Sequence, residues 1–181
     1  MNKGNEAMKI LIISDSHGLT DELQTIAKRH AAEVDMMIHC GDSELETNHP
    51  ALEGYKVVKG NCDFMGDFEE ELLLPLDGGG KLFLTHGHLH GIKQSLLQVY
   101  YRAEELGADI ICFGHSHIPG SELLRGKLLI NPGSVHLPRV RKERSYAILT
   151  LDGSEANVQF FTDEGQAIQD LENTVTLEGI S

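Results

Sequence analysis

The stretch Lys9-Ile10-Leu11-Ile12-Ile13-Ser14-Asp15-Ser16-His17-Gly18 decides how the rest of the chain is read. Four consecutive large aliphatic residues make a run too short for a helix and typical of a strand buried on both faces. The run stops abruptly in small polar residues, so a loop begins there. Asp15 and His17 then sit just past the strand's carboxyl end. One residue separates them, and an extended backbone would point both to the same side. A carboxylate oxygen and an imidazole nitrogen placed this way can close on one cation.

The same punctuation recurs along the chain. Met36-Met37-Ile38 runs into His39-Cys40-Gly41-Asp42, and Tyr55-Lys56-Val57-Val58 leads to Gly60-Asn61-Cys62-Asp63. Lys81-Leu82-Phe83-Leu84, after the turn Gly78-Gly79-Gly80, ends in Thr85-His86-Gly87-His88, and Ile110-Ile111-Cys112-Phe113 ends in Gly114-His115-Ser116-His117. Apolar spacing predicts a helix over 20–32, with Leu23, Ile26, Ala27 and His30 or Ala31 on one face. A second helix is predicted over 93–106, with Leu96, Leu97, Tyr100 and Ala103 on one face and Gly107 as its stop. The rhythm then changes to hairpins: 122–124 with 128–130 around Arg125-Gly126, and 146–151 with 157–161 around Asp152-Gly153. Strand–helix alternation followed by consecutive strands predicts mixed sheets covered by helices, an α/β or α+β fold. In such sheets ligands gather beyond the carboxyl ends of the strands. Five strand ends here carry Asp, Asn and His.

The domain is expected to span 8–162. Residues 1–7 would be an N-terminal extension, and 163–181 a polar C-terminal tail, loose or briefly helical. The 181 residues, 40% hydrophobic and 24% charged, suit one globular domain. Met1 to Ala7 lack a secretory apolar stretch, and no run is long enough to span a bilayer. The cysteines Cys40, Cys62 and Cys112 form no close pair, as expected of a reducing, cytoplasmic setting. A formal charge of −13 argues against binding duplex nucleic acid. It leaves a phosphate substrate open, because bound divalent cations reverse the field locally.

The residue types carry the chemistry. His115 and His117 repeat the Asp15/His17 spacing. Asp42 has two oxygens with which to bridge two cations, and Asn61 and His86 add neutral donors. Mixed oxygen and nitrogen donors suit Mn²⁺ first, with Ni²⁺, Fe²⁺ or Zn²⁺ as alternatives. Two such ions roughly 3.5–4 Å apart would hold a hydroxide between them and neutralise a phosphoryl group. That hydroxide would be the nucleophile, so no Ser or Cys nucleophile is required.

Taken in order, Asp15-x-His17, Gly41-Asp42, Gly60-Asn61-x-Asp63, His86 and Gly114-His115-x-His117 resemble the calcineurin-like metallophosphoesterase family. The likeness runs over about 9–151. Gly-Asp alone is no evidence and Asp-x-His is weak; five motifs in series at strand ends are specific. The resemblance implies a four-layer αββα sandwich of two mixed β-sheets flanked by helices. It implies that Asp15, His17 and His117 hold one metal ion, Asn61, His86 and His115 a second, and Asp42 both. The short chain, Gly60-Asn61-Cys62-Asp63 and Asn131-Pro132-Gly133-Ser134 are similar to a small bacterial and archaeal phosphodiesterase branch. One position departs from the pattern: many members have His where this chain has Cys62. A neutral thiol donates its proton poorly, so diesters or esters with good leaving groups are expected over unactivated monoesters.

Several residues admit two readings. His88 either contacts substrate phosphate or does not, and His90 is expected to be a solvated loop residue. His39 is expected to be a partly buried neighbour of Asp42. Asp63 either orients a ligand from behind or holds its turn. Gly41, Gly60 and Gly114 permit unusual backbone angles or close approach. Asn131 to Ser134 either lend N–H groups to the pocket or form a bare turn. Arg139, Arg141, Lys142 and Arg144 are expected to be a solvated loop, with attraction of a polyanion as the alternative. His86-Gly87-His88-Leu89-His90 superficially resembles a metallo-β-lactamase zinc motif but lacks its Asp-His ending. The substrate would be a small-molecule phosphoester. A phosphomonoesterase, a nucleotide pyrophosphatase or a protein-interaction scaffold of the same fold are the alternatives, and self-association through the hairpin end is left open.

Overall fold

In the computed structural model, which describes residues 6–181, the decisive run forms strand β1, Met8–Ile13. The expected helices follow as α1, Asp21–His30, and α2, Leu97–Leu106. The remaining strands are β2 (Met36–His39), β3 (Tyr55–Val57), β4 (Glu71–Pro75), β5 (Lys81–Thr85), β6 (Ile110–Cys112), β7 (Gly120–Leu124), β8 (Lys127–Asn131), β9 (Ser145–Asp152), β10 (Glu155–Thr162) and β11 (Asn173–Thr176). They form a 6-stranded sheet in the order β11-β10-β9-β1-β2-β3 and a 5-stranded sheet in the order β4-β5-β6-β8-β7. Both are mixed. β1, β2 and β3 run parallel in the first, and β5, β6 and β8 in the second.

The period of two in each buried strand divides its side chains between two cores. In β1, Ile10 and Ile12 enter the space between the sheets and meet Leu82, Leu84, Ile110 and Ile130. Leu11 and Ile13 point the other way, onto Leu23 and Ile26 of α1. Phe83, Ile111 and Leu129 face outward from the second sheet onto Val99 and Ala103 of α2. Three cores between four layers make the αββα sandwich. The consequence for function is directional: the carboxyl ends of β1, β2, β3, β5 and β6 all open at one edge of the paired sheets.

Several local expectations are corrected. Of the extension over 1–7, residues 1–5 lie outside the described residues. The expected tail over 163–181 is not loose. β11 extends the first sheet beyond β10, and Ile168, Leu177 and Ile180 are buried in the core between the sheets. Its apolar residues are too sparse to show a period, yet all three join one core. Helix α2 starts at Leu97 rather than 93, because Gly91 turns left-handed and the Ser95 hydroxyl accepts from the Leu97 N–H. Leu97 is consequently exposed, not on the packed face. Strand β4 went unread; it is an edge strand ending in Pro75, which an edge tolerates.

Candidate metal centre

The loops after β1 and β2 are laced together by backbone hydrogen bonds. Asp15 N–H donates to Gly41 O (3.0 Å), His17 N–H to Asp42 O (2.9 Å) and Gly18 N–H to Ser43 O (2.9 Å). An extended backbone was expected to align Asp15 with His17, and His115 with His117. Instead all four are left-handed, with φ of 53°, 42°, 69° and 60°, as is Asp42 at 58°. Non-glycine residues rarely adopt this region, and they stay there only where surrounding contacts over-determine it. The side chains still converge, through curled loops rather than strand pleating.

The donor atoms crowd together. His117 Nε2 lies 3.0 Å from Asp15 Oδ1, and His17 Nε2 lies 3.7 Å from the same oxygen. His86 Nε2 is 3.2 Å from Asp42 Oδ2 and 3.0 Å from Asn61 Oδ1. Asp42 Oδ2 is also 4.0 Å from His17 Nε2, so this carboxylate reaches both groups. Three of the rings have the opposite nitrogen occupied. His117 Nδ1 donates to Leu137 O (2.7 Å), His86 Nδ1 to Cys40 O (2.8 Å) and His17 Nδ1 to the Glu44 carboxylate (2.6 Å). A carbonyl or carboxylate oxygen only accepts, so each Nδ1 carries a proton and each Nε2 is left to face the carboxylates, free to offer a lone pair to a cation. The Nε2 atoms of His17 and His117 face each other at 3.3 Å. Asp15 Oδ1 is buried and receives no hydrogen bond. Converging lone pairs beside carboxylates need either a proton or a cation between them, and this donor set fits divalent metal ions. Asp15–His17–His117 and Asp15–Asp42–His86 each have ligand atoms close enough to share one ion.

The charges respond accordingly. Burial would raise the Asp15 carboxyl, but the adjacent His117 and His86 rings hold it below its ordinary value. Asp42 behaves likewise: burial opposes, and His86 and the Cys62 N–H overcome it. Burial would lower His86 and His117, yet Asp42 and Asp15 respectively raise them. For His115 burial, aided by His86, outweighs the pull of Asp15 and drops it to about 4.

A second set of residues holds the loops. The Asp63 carboxylate accepts from the N–H groups of Asp42 (2.8 Å), Glu44 (2.8 Å) and Gly60 (2.7 Å). It therefore ties the β2 and β3 ends together, more than a turn would require. His39, expected to be partly buried, is wholly so. Its ring pairs with Ser16 Oγ at 2.8 Å and accepts from Gly41 N–H, and burial lowers it to about 4, which keeps it neutral. Ser134 Oγ donates to Asp15 O at 2.7 Å, and Asn131 Nδ2 donates to Gly114 O and Ser116 Oγ. The Asn131 to Ser134 segment thus braces the β1 and β6 loops. A Cβ on Gly60 would collide with the Asp42 carboxylate, and one on Gly114 with Ser14 and Asp15.

Other residues fall where the sequence left them open or misplaced them. His88 has its ring 5.3 Å from that of His86 and 6.1 Å from that of His115, beside the cluster. His90 is no solvated residue: its Nε2 sits 3.2 Å from Glu71 of the unread strand β4. Cys62 is half-buried, donates its N–H to Asp42 Oδ1 (2.8 Å), and has its thiol pushed up to about 11 by burial and Asp42. Arg141 pairs with Asp170 of the segment expected to be a tail. Glu44 was missed; its only signal is an acid two residues after Asp42.

The chain is similar to known proteins in family and in fold. The calcineurin-like phosphoesterase superfamily domain matches residues 8–154. A probable metallophosphoesterase of Bacillus subtilis, YsnB, is 73% identical over 170 residues, covering 94% of this chain and all of that protein. The crystal structure of a predicted phosphoesterase from Streptococcus pneumoniae superposes with a TM-score of 0.90 at 35% identity, over 94% of this chain and 98% of that one. The Escherichia coli phosphodiesterase YfcE is 29% identical over 177 residues, spanning 80% of this chain and 89% of its own length. With curled loops bearing Asp, Asn and His meeting at one edge of two mixed sheets, and a family match over residues 8–154, the chain belongs to the calcineurin-like phosphoesterase superfamily.

Proposed function

We propose that this protein hydrolyses phosphodiesters at a centre holding two divalent cations, Mn²⁺ foremost. Asp15, His17 and His117 hold one, Asn61, His86 and His115 the other, and Asp42 both. The observation that carries this reading is the reach of the Asp42 carboxylate to both His17 and His86, amid imidazole nitrogens whose protons are committed to the far side of each ring. Two cations so held supply the charge that readies water at neutral pH and neutralises phosphoryl oxygens. The chain's own residues do the rest. Glu44, Cys40 O and Leu137 O fix the three rings, Asp63 locks the loops of Asp42 and Asn61, and His88, beside the rings of His86 and His115, would contact a phosphoryl oxygen.

The preference for diesters rests on Cys62. Its thiol, pushed up to about 11, gives little help to an alkoxide leaving without a proton. A diester with a good leaving group needs less such help. YfcE, a named phosphodiesterase, supports this direction as a relative. The three cysteines are free, and the acidic chain has no helix among the described residues long and apolar enough to cross a membrane. A cytoplasmic setting accords with the free thiols.

Elemental analysis of protein purified without chelator, paired with a phosphoester panel, tests the reading. Two equivalents of transition metal and chelator-sensitive turnover of bis-p-nitrophenyl phosphate are expected. Faster turnover of p-nitrophenyl phosphate than of the diester would reject the diester preference.

A further inference from the structure

A cavity of about 720 Å³ opens beside His115 and His117 and extends away from the carboxylates. Its wall is apolar over Ile92, Leu96, Phe113, Ile118 and Leu129, contributed by the second sheet, its loops and the approach to α2. That size and a mainly apolar lining with a few polar groups are characteristic of small-molecule sites. Lys93 and Arg139 also line it, and both are exposed. Neither side chain makes an ion pair or hydrogen bond among the described residues, so both charges are available to a ligand. Glu122 is the one carboxylate on the wall. In a chain of formal charge −13, two unpaired cations at one apolar cavity are a local inversion of charge.

The geometry points to this cavity as the subsite for the retained arm of the diester, selecting an aromatic ring, either an aryl group or a nucleobase. The inference rests on the phosphodiesterase reading and adds the substrate's shape to it. Because His115 and His117 line the same cavity as Ile118 and Phe113, an ester arm on a phosphoryl group held at those two rings has room to extend along that wall. A flat ring on that arm would cover the apolar wall, and Lys93 and Arg139 on the same cavity would offset the charge of the anionic phosphodiester and its product. Hydrolysis then forms one bond from water oxygen to phosphorus and breaks the bond to the leaving oxygen. The leaving group departs as an alcohol or phenol, and the ring stays bound as a phosphomonoester. A methyl arm would leave the wall wet, and burying a ring there favours the aromatic arm.

The test compares substrates that share p-nitrophenolate as leaving group and differ only in the retained arm: methyl, phenyl, and thymidine 5′. With the manganese-loaded full chain, kcat/KM for the phenyl or thymidine ester should exceed that for the methyl ester by about tenfold or more, the scale set by burying a ring. The better of the two tells an aryl arm from a nucleobase. In Ile118→Asp, at a position 42% exposed and tolerant of change, the ratio should fall toward one. A second readout is independent of turnover. The side-chain methyl resonances of Ile92 and Ile118 in the zinc-loaded protein should shift with phenyl phosphate and stay still with methyl phosphate. Equal kcat/KM for all three arms with unmoved methyls would overturn the subsite. Shifted methyls without any turnover would uphold the subsite and reject the hydrolytic reading.

Discussion

The two halves of the proposed centre are built with unequal firmness. In the half made of Asp15, His17 and His117, both rings are anchored through Nδ1, to Glu44 and to Leu137 O, and the Asp15 backbone is braced by Gly41 and Ser134. In the other half only His86 is anchored, to Cys40 O. Asn61 is exposed, with its amide nitrogen 3.4 Å from the Cys62 sulfur, and the His115 ring makes no side-chain hydrogen bond among the described residues. His115 instead borders the apolar cavity. Donors held before a cation arrives give up less freedom on binding it, so firmness should translate into affinity. The difference teaches that one half is a fixed floor and the other yields toward the substrate side.

The largest effect should come from removing what joins the halves. Asp42→Asn should cost turnover about 10³-fold and drop metal content below two equivalents, as judged by elemental analysis, with the fold kept. Unchanged metal content would contradict the bridging role. Next comes the brace that serves both sides. Asp63→Ala leaves three buried N–H groups without a carboxylate and should destabilise the chain by about 3 kcal/mol, read from chemical denaturation. A loss under about 1 kcal/mol would reduce Asp63 to an ordinary turn residue.

On the yielding side, Cys62→His should raise monoester turnover about tenfold or more by restoring a proton donor. No gain in a folded, metal-loaded variant would remove Cys62 as the cause of diester preference. Calorimetric titration of metal-free protein with Mn²⁺ should resolve two steps about tenfold apart in affinity. His86→Ala should delete the weaker and spare the stronger. Two equal steps would erase the contrast between the halves.

The smallest effect is the pH dependence of the metal-free chain. His39 and His115 protonate near 4 when folded but near their ordinary value when unfolded, so between about 4 and 6.5 the unfolded chain binds more protons. Stability therefore falls as pH drops through that window. His86 and His117 are raised, so their contribution is complete below about 6.5 and fades as pH rises through their folded values. Thermal melts of the metal-free chain should lose stability as pH drops from about 6.5 toward 4, and again as pH rises above that window. A melt that rises steadily from pH 4.5 to 8 would refute the opposing pair.

Much of this was legible because it is local. The Ile10 to Ile13 run declares a strand buried on both faces, and the abrupt change to Ser14 and Asp15 declares its end. The hairpin around Asp152-Gly153 is marked by its turn residues, and β9 and β10 pair around it as expected. What stayed hidden depends on distant partners. Leu177 and Ile180 show no period because they lie beyond β11 in an irregular segment, yet both join the core between the sheets. His90 looked solvated because its partner Glu71 lies on an edge strand without a strong pattern. Left-handed backbone at Asp15 and His17 has no signature in residue type; it is imposed by the lacing to Gly41 and Asp42.

By itself the sequence determined which side chains stand at strand ends and what they can ligate, since periodicity and turn chemistry act over a few residues. Only the tertiary structure decided that two separate sheets present those ends at one edge, which nitrogen of each ring faces inward, and that an apolar cavity adjoins His115. His17 and His117 meet across a separation of 100 residues. Contacts of that range are fixed by how layers pack, and no short stretch of chain contains that information.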